Sequence, residues 1–210
     1  MTDESNQFER ELTRIVEVIQ RARTEKAHPI VVAVDGGSGS GKSSLAARIA
    51  EAMEVALIPL DDFFAAGIPD HRWDEFTVPE QLERVFEWER VRRQALEPLL
   101  RGEPARWHAF DFIAGMRPDG TYGMEEEAKT RQPADVILLE GAYSTSDKLV
   151  ELVDLTILVD VPAAVRFERT FDRDQAAFSE TWHARWDPLE AYYFGEKRPA
   201  AWFDVVVSGM

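Results

Sequence analysis

The apolar residues Phe8, Leu12, Ile15, Val16 and Ile19 recur every three or four positions, which predicts an amphipathic helix over residues 5–24, closed off before Pro29. At Ile30 the period changes. Ile30-Val31-Val32-Ala33-Val34 is a short β-branched run with no polar alternation, the pattern of a strand covered on both faces, and it leads straight into Asp35-Gly36-Gly37-Ser38-Gly39-Ser40-Gly41-Lys42-Ser43. Helical spacing returns over residues 43–53 through Leu45, Ile49 and Met53, and residues 55–60 read as a second strand that ends at Asp61-Asp62-Phe63-Phe64. Residues 65–79 read as a loop, and residues 79–100 as one long charged helix with Leu82, Val85, Phe86, Val91, Leu96 and Leu99 turned inward. Residues 101–133 hold four Gly and three Pro and predict an insertion without regular elements. A third apolar strand over 136–139 stops at Glu140-Gly141. A fourth over 155–161 is followed by a helix over 163–174, and a fifth is placed at 205–207. Apolar strands alternating with helices imply an α/β chain whose parallel sheet is covered on both faces. With no internal repeat and no low-complexity linker, residues 1–210 are expected to form one domain. Within it, 1–28 is an N-terminal helix, 65–133 a helix with an insertion, and 163–190 a lid region.

Composition narrows the partners. The 210 residues are 45% hydrophobic and 30% charged, ordinary globular values, but 24 Lys+Arg against 39 Asp+Glu leave a net charge of −15. So acidic a chain repels nucleic-acid phosphates and anionic lipid, so neither is expected as a partner, and a phosphate-bearing ligand needs a local positive pocket. The absence of cysteine removes disulfide scaffolds, thiol nucleophiles and Cys-ligated zinc. The first ten residues are polar and acidic rather than signal-like, and no apolar run approaches the roughly 20 residues that span a bilayer. A cytoplasmic location is expected, and a homo-oligomer is compatible with the composition.

Residues 36–43 satisfy G-x-x-x-x-G-K-[ST] in the context the pattern needs, after a buried strand and before a helix. Glycines there let successive backbone N–H groups turn toward phosphate oxygens, Lys42 reaches the β/γ oxygens, and the Ser43 hydroxyl can hold Mg²⁺. Asp61, at the carboxyl end of the second strand, stands where ligands of open α/β sheets collect and could take a proton from an attacking hydroxyl; as a plain Asp-Asp it would instead be a solvated strand end. Glu140 ends the third strand in the same manner and could hold Mg²⁺. Arg166, Arg169 and Arg173 share one helix face and suit a triphosphate, the alternative being a solvated face paired with Glu168, Asp172 and Asp174.

Together these segments resemble the uridine kinase, phosphoribulokinase and nicotinamide riboside kinase group from Ile30 to Ser208. Leu60-Asp61-Asp62-Phe63-Phe64 is similar to the Asp-Ser-Phe-Tyr of uridine kinases and closer to the Asp-Asp-Phe-Phe of nicotinamide riboside kinases. Phe110-Asp111-Phe112 followed by Arg117 resembles Tyr-Asp-Phe-x-x-His-Ser-Arg, with Gly115 and Met116 in place of the His and Ser. Leu138-Leu139-Glu140-Gly141 and Arg166-x-x-Arg169-x-x-x-Arg173-Asp174 match the group's strand end and lid helix. The resemblance implies a three-layer P-loop NTPase fold with a small lid, ATP and Mg²⁺ as cofactors, and phosphoryl transfer to a hydroxyl of a small molecule, a nucleoside or ribose-like compound. It implies Asp61 as base, with Lys42, Arg169 and Arg173 acting on the transferring group. The nucleotide would be held by Gly36, Gly37, Ser38, Gly39, Ser40, Gly41, Lys42, Ser43, Ser44 and Arg166, and the metal by Ser43 and Glu140. Acceptor contacts fall to Asp62, Phe64, Asp74, Phe110, Asp111 and Arg117. Trp182, Trp186, Tyr192 and Tyr193 read as packing residues, and His108 as an ordinary polar residue. Two alternatives stay open: a non-nucleoside acceptor such as a sugar or vitamin precursor, and a nucleotide-binding regulatory module that transfers nothing.

Overall fold

The computed structural model describes residues 3–174 and 176–208, with side chains over 7–170 and 181–208. In chain order the strands are β1 (Ile30–Asp35), β2 (Ala56–Pro59), β3 (Ala105–Phe110), β4 (Met124–Arg131), β5 (Val136–Glu140), β6 (Leu155–Asp160) and β7 (Val205–Ser208). Five of them form one sheet in the order β2-β5-β1-β6-β7, every neighbouring pair parallel. All five predicted strands are these five. Strand alternation divides their side chains between two layers. Ile30, Val32 and Val34 of β1 with Val136 and Leu138 of β5 pack under α1 (Asp3–Thr24) and α2 (Lys42–Ala52), against Leu12, Ile15, Ile19, Leu45 and Ile49. Val31, Ile137 and Leu139 point the other way, toward Leu82 of α3 (Val78–Arg84), Leu99 of α5 (Glu97–Leu100) and Leu189 of α7 (Ala176–Tyr192). Each such fully buried aliphatic side chain contributes about 1.5–3 kcal/mol relative to exposure.

Two expectations for residues 79–133 fail. The long helix is broken after α3, because Val85 and Glu87 give their backbone groups to another segment: Ala65 N–H donates to Val85 C=O at 3.0 Å and Glu87 N–H to Phe63 C=O at 2.8 Å. Beyond the break, α4 (Trp88–Arg90) continues through a π-helical stretch, Val91–Leu96, into α5. Pro98 removes a helical donor and crowds the preceding turn, and the wider π turn accommodates it. The insertion is likewise not irregular. It holds the antiparallel hairpin β3–β4, in which Ala105, Trp107 and Ala109 are buried and Arg106 and His108 exposed. Smaller departures are that β2 stops at Pro59, with a 3-10 turn over Leu60–Phe63, and that the loop after it contains a second 3-10 turn, Asp70–Glu75.

Because the strands run parallel, their carboxyl ends gather on one edge. Val34 of β1 lies opposite Glu140 of β5, and Glu140 opposite Pro59 of β2, which puts Asp35, Glu140 and the Leu60–Phe63 turn side by side. From β1 the chain goes to β2 on one side, while β6 lies on the other, and such a reversal of strand order opens a crevice at this edge. No described helix is long and apolar enough to cross a membrane.

Candidate active site

The Gly-rich loop connects β1 to α2 and occupies the crevice. Its backbone needs glycine: Gly39 and Gly41 have φ of 76° and 92°, and a Cβ on Gly39 would fall 2.6 Å from the Arg166 carbonyl oxygen. The loop's entry is fixed by Asp35, a fully buried carboxylate that sequence reading passed over. Its Oδ1 accepts from the N–H groups of Gly36 and Tyr143, both at 2.8 Å, and its Oδ2 from the N–H and hydroxyl of Thr145 at 3.0 and 2.7 Å and the Tyr193 hydroxyl at 3.0 Å. One side chain thereby ties the loop to the segment after β5 and to the C-terminal helical region. Burial raises the pKa of this carboxyl, with the donors from Thr145, Gly36 and Tyr193 opposing. The same network holds Tyr143 at φ 68°, a left-handed conformation that costs a non-glycine residue of order 1–3 kcal/mol and that recurs at binding sites.

Above the loop lies a cavity of about 580 Å³, lined on one side by Ser38, Gly39, Gly41, Lys42, Ser43 and Ser44 and on the other by Asp61, Phe64, Tyr143 and Arg169. Ser43 Oγ donates to Glu140 Oε1 at 2.8 Å, joining the start of α2 to the end of β5. Burial lifts the Glu140 pKa above the usual carboxylate range, and the neighbouring charges of Asp61 and Asp35 add to this against Lys42 and Ser43. Lys42 is buried, its Nζ 3.5 Å from the Gly37 carbonyl. Asp61 is exposed to the cavity. The Ser40 hydroxyl is buried at the base of the loop beside Gly36, with no hydrogen-bond partner among the described residues.

Arg166 grips the loop from α6 (Ala163–Asp174). Its Nη1 donates to the Ser38 carbonyl at 3.0 Å and pairs with Glu190 Oε2 at 2.5 Å, while Nε donates to the Val161 carbonyl at 3.1 Å. Glu190, on α7 and buried, accepts the Ser38 N–H at 2.6 Å through Oε1 and also lines the cavity. Sequence reading missed it, since an acidic residue in an aromatic helix has no motif to mark it. Arg169 reaches the loop at Gly39 O, 3.4 Å away. The Arg173 side chain lies outside the described residues.

The acceptor candidates separate. Phe64 lines the cavity. Asp62 does not: its carboxylate is buried and takes hydrogen bonds from Trp107 Nε1 and Lys129 Nζ, both at 2.8 Å, fastening the β3–β4 hairpin to the sheet. Asp74 is paired with Arg185 at 2.9 Å. Phe110 lines a smaller neighbouring cavity. Asp111 caps its own loop by accepting from Ile113 and Ala114 N–H, and Arg117 sits in the turn beside Gly123; neither lines either cavity. Trp186 and Tyr193 are core residues, as expected of packing groups, but Trp182 and Trp186 also form cavity walls. His108 bonds the Glu125 carbonyl across the hairpin, as an ordinary polar residue does.

A parallel sheet with a Gly-rich loop between β1 and α2, and strand-end carboxylates around it, defines a P-loop protein of three-layer architecture. The chain belongs to the phosphoribulokinase / uridine kinase family, whose model matches residues 31–184. It is 31% identical over 147 residues to a uridine kinase of Halobacterium salinarum, covering 68% of this chain and 61% of that one. It is 31% identical over 157 residues to a uridine kinase of Deinococcus deserti, covering 72% and 71%. A solved structure described as a possible uridine kinase from Bacillus stearothermophilus superposes with a TM-score of 0.61 at 19% identity, over 93% of this chain and 98% of that one. The chain thus spans less than two thirds of the length of the first of these relatives.

Proposed function

We propose that this protein is an ATP- and Mg²⁺-dependent kinase that phosphorylates a hydroxyl of a small molecule, a nucleoside or ribose-like compound. The observation that carries the reading is the meeting of three groups in the lining of one cavity: the loop with Lys42, Ser43 with Glu140 bonded behind it, and Asp61. Loop N–H groups and Lys42 bind the phosphates. Ser43 and Glu140 offer Mg²⁺ a hydroxyl and a carboxylate 2.8 Å apart, hard oxygens of the type it takes, and the described residues include no cluster of three acidic or His ligands that would cage it without water and phosphate. When bound there, Mg²⁺ would offset the negative charge of the phosphates.

Asp61 orients the acceptor hydroxyl and removes its proton as the hydroxyl oxygen attacks the γ-phosphorus. The new O–P bond forms while the bond from the γ-phosphorus to the β,γ-bridging oxygen breaks, and ADP leaves with that electron pair. Arg169, already at the loop, and Arg173 neutralise the equatorial oxygens. Arg166 keeps the loop in its binding conformation. Asp111 and Arg117 would contact the acceptor only after the β3–β4 loop moves inward. The test is a coupled assay of ATP consumption against a panel of nucleosides, sugars and vitamin precursors. Acceptor-dependent ADP release that vanishes without Mg²⁺ supports the reading, and nucleotide binding without turnover on any hydroxyl refutes it.

A further inference from the structure

The helix α1 runs against the direction of the sheet. Residues 25–29 alone separate it from β1, and Arg23 and Lys26 at its end pair with Asp135 and Asp154, just ahead of β5 and β6, at 3.1 and 3.0 Å. Its first turns therefore lie at the edge where the carboxyl ends of the strands gather. Leu12, Ile15 and Ile19 hold it there, buried in the layer it shares with α2, and Glu9 meets Arg48 of α2 at 2.7 Å. This register turns Phe8, the residue before Glu9, toward the start of α2. Ser44 stands one turn ahead of Arg48, and Phe8 and Ser44 both line the cavity of about 580 Å³. Phe8 precedes residues 31–184, the span that matches the family model.

Phe8 differs from the other rings around this cavity. Phe64, Phe86, Tyr143, Trp182 and Trp186 are joined by ring contacts, with centroids 5.6–6.4 Å apart, into one packed cluster. Phe8 has no ring neighbour among the described residues. It is half-buried, packing on the core of the α1–α2 layer with part of its surface and bordering the cavity with the rest. A flat ligand laid on that free part would remove apolar area of both partners from water and meet the π-face of the ring.

The geometry of phosphoryl transfer decides which part of a nucleotide comes here. The attacking oxygen and the β,γ-bridging oxygen stand on opposite sides of the γ-phosphorus. With Asp61 at the acceptor end, the α-phosphate, ribose and base extend away from it, along the wall that runs from the loop to Ser43 and Ser44. Phe8 is the ring on that wall. We infer that Phe8, from a helix outside the phosphate loop and its sheet, is the stacking face for the base of the bound nucleotide. This rests on the reading of the loop as a nucleotide site and adds to it the residue that distinguishes a nucleotide from bare phosphate. Stacking of this kind is made with the face of the base and needs no hydrogen bond to its edge.

Calorimetric titration of the intact protein with Mg·ADP and with Mg·pyrophosphate separates the base from the phosphates. Phe8→Ala should bind Mg·ADP about tenfold more weakly, low in the range for one base on one ring, while its affinity for Mg·pyrophosphate stays that of the wild type. Phe8→Tyr, which keeps the ring, should bind both ligands as the wild type does. In the wild-type complex with Mg·ADP, NMR cross-relaxation between the Phe8 ring protons and the adenine protons reads the contact without any substitution. Equal Mg·ADP affinity of the wild type and Phe8→Ala overturns the inference and leaves the nucleotide reading intact. So does an equal loss for both ligands, which marks a disturbed loop, and so does the absence of cross-relaxation. A wild type that binds neither Mg·ADP nor Mg·pyrophosphate refutes the nucleotide reading and the inference with it.

Discussion

Glu190 sets up a measurable opposition between stability and ligand affinity. Its carboxylate accepts the Ser38 N–H at 2.6 Å and pairs with Arg166 at 2.5 Å, the two side chains being 8% and 18% exposed, so little solvent screens the pair. Glu190→Gln keeps the shape and one acceptor but removes the charge. A charge-assisted hydrogen bond is worth about 1.5–3 kcal/mol and a neutral one about 0.5–1.5 kcal/mol, and Arg166 retains the Ser38 and Val161 carbonyls, so the expected loss of stability is about 1–2 kcal/mol. For a chain of this size that lowers Tm by roughly 2–8 °C. Nucleotide affinity should move the other way. A phosphate charge placed about 7 Å from a carboxylate at an effective dielectric near 20 is repelled by roughly 2 kcal/mol, so removing the carboxylate, which lines the cavity, tightens binding at least about tenfold. Calorimetric titration of Mg·ADP and a thermal melt on the same preparation measure both quantities. A Glu190→Gln variant that melts earlier and binds ADP no tighter than the wild type would refute the reasoning, leaving Glu190 as a brace for the loop alone.

Asp61→Asn should lower kcat by about 10²–10⁴-fold with ADP affinity unchanged, as loss of a general base does; a smaller effect assigns the proton transfer elsewhere. Trp107→Ala, at a site 1% exposed, removes both a core ring and a donor to Asp62, and a cost of about 3–5 kcal/mol is expected in urea unfolding. At the start of α3, Glu80 accepts from the backbone N–H and hydroxyl of Thr77, which holds its carboxyl below the usual range. The support this gives the helix is therefore present at neutral pH and fades as pH falls through the lowered folded value. Thr77→Ala removes the hydroxyl but keeps the backbone N–H, the larger cause, so it should raise the Glu80 carboxyl only part of the way toward the ordinary range in an NMR titration.

The sheet was legible because its strands are short, apolar on both faces and rich in β-branched residues, from Ile30 to Val34 and from Val136 to Leu139, a length and composition that favour a covered strand over a buried helix. The loop was legible because its chemistry is local: a run of glycines ahead of Lys42 and Ser43 has few other uses. The break after Arg84 was hidden, since Leu82, Val85 and Phe86 keep helical spacing and are buried whether the chain continues as a helix or turns to meet Phe63 and Ala65. The hairpin did leave a trace, the alternation of Ala105, Trp107 and Ala109 with Arg106 and His108. Its partner Met124–Arg131 has only Met124 and Ala128 as apolar residues, too few to show an alternation.

Burial periodicity and the Gly-rich motif, both properties of short segments, were enough to establish the layers, the parallel sheet and the position of the loop. Pairing across distance was not accessible to them. Asp61 and Asp62 are adjacent and chemically identical, yet one faces the cavity and the other is bound by Trp107 and Lys129, 45 and 67 residues away. Asp74 is taken by Arg185, and Glu190 meets Ser38 across 152 residues. A charged side chain is free for a ligand only if no opposite charge reaches it when the chain is folded. That depends on which surfaces the packing of α7 and the hairpin brings together, and not on the residues next to it in the chain.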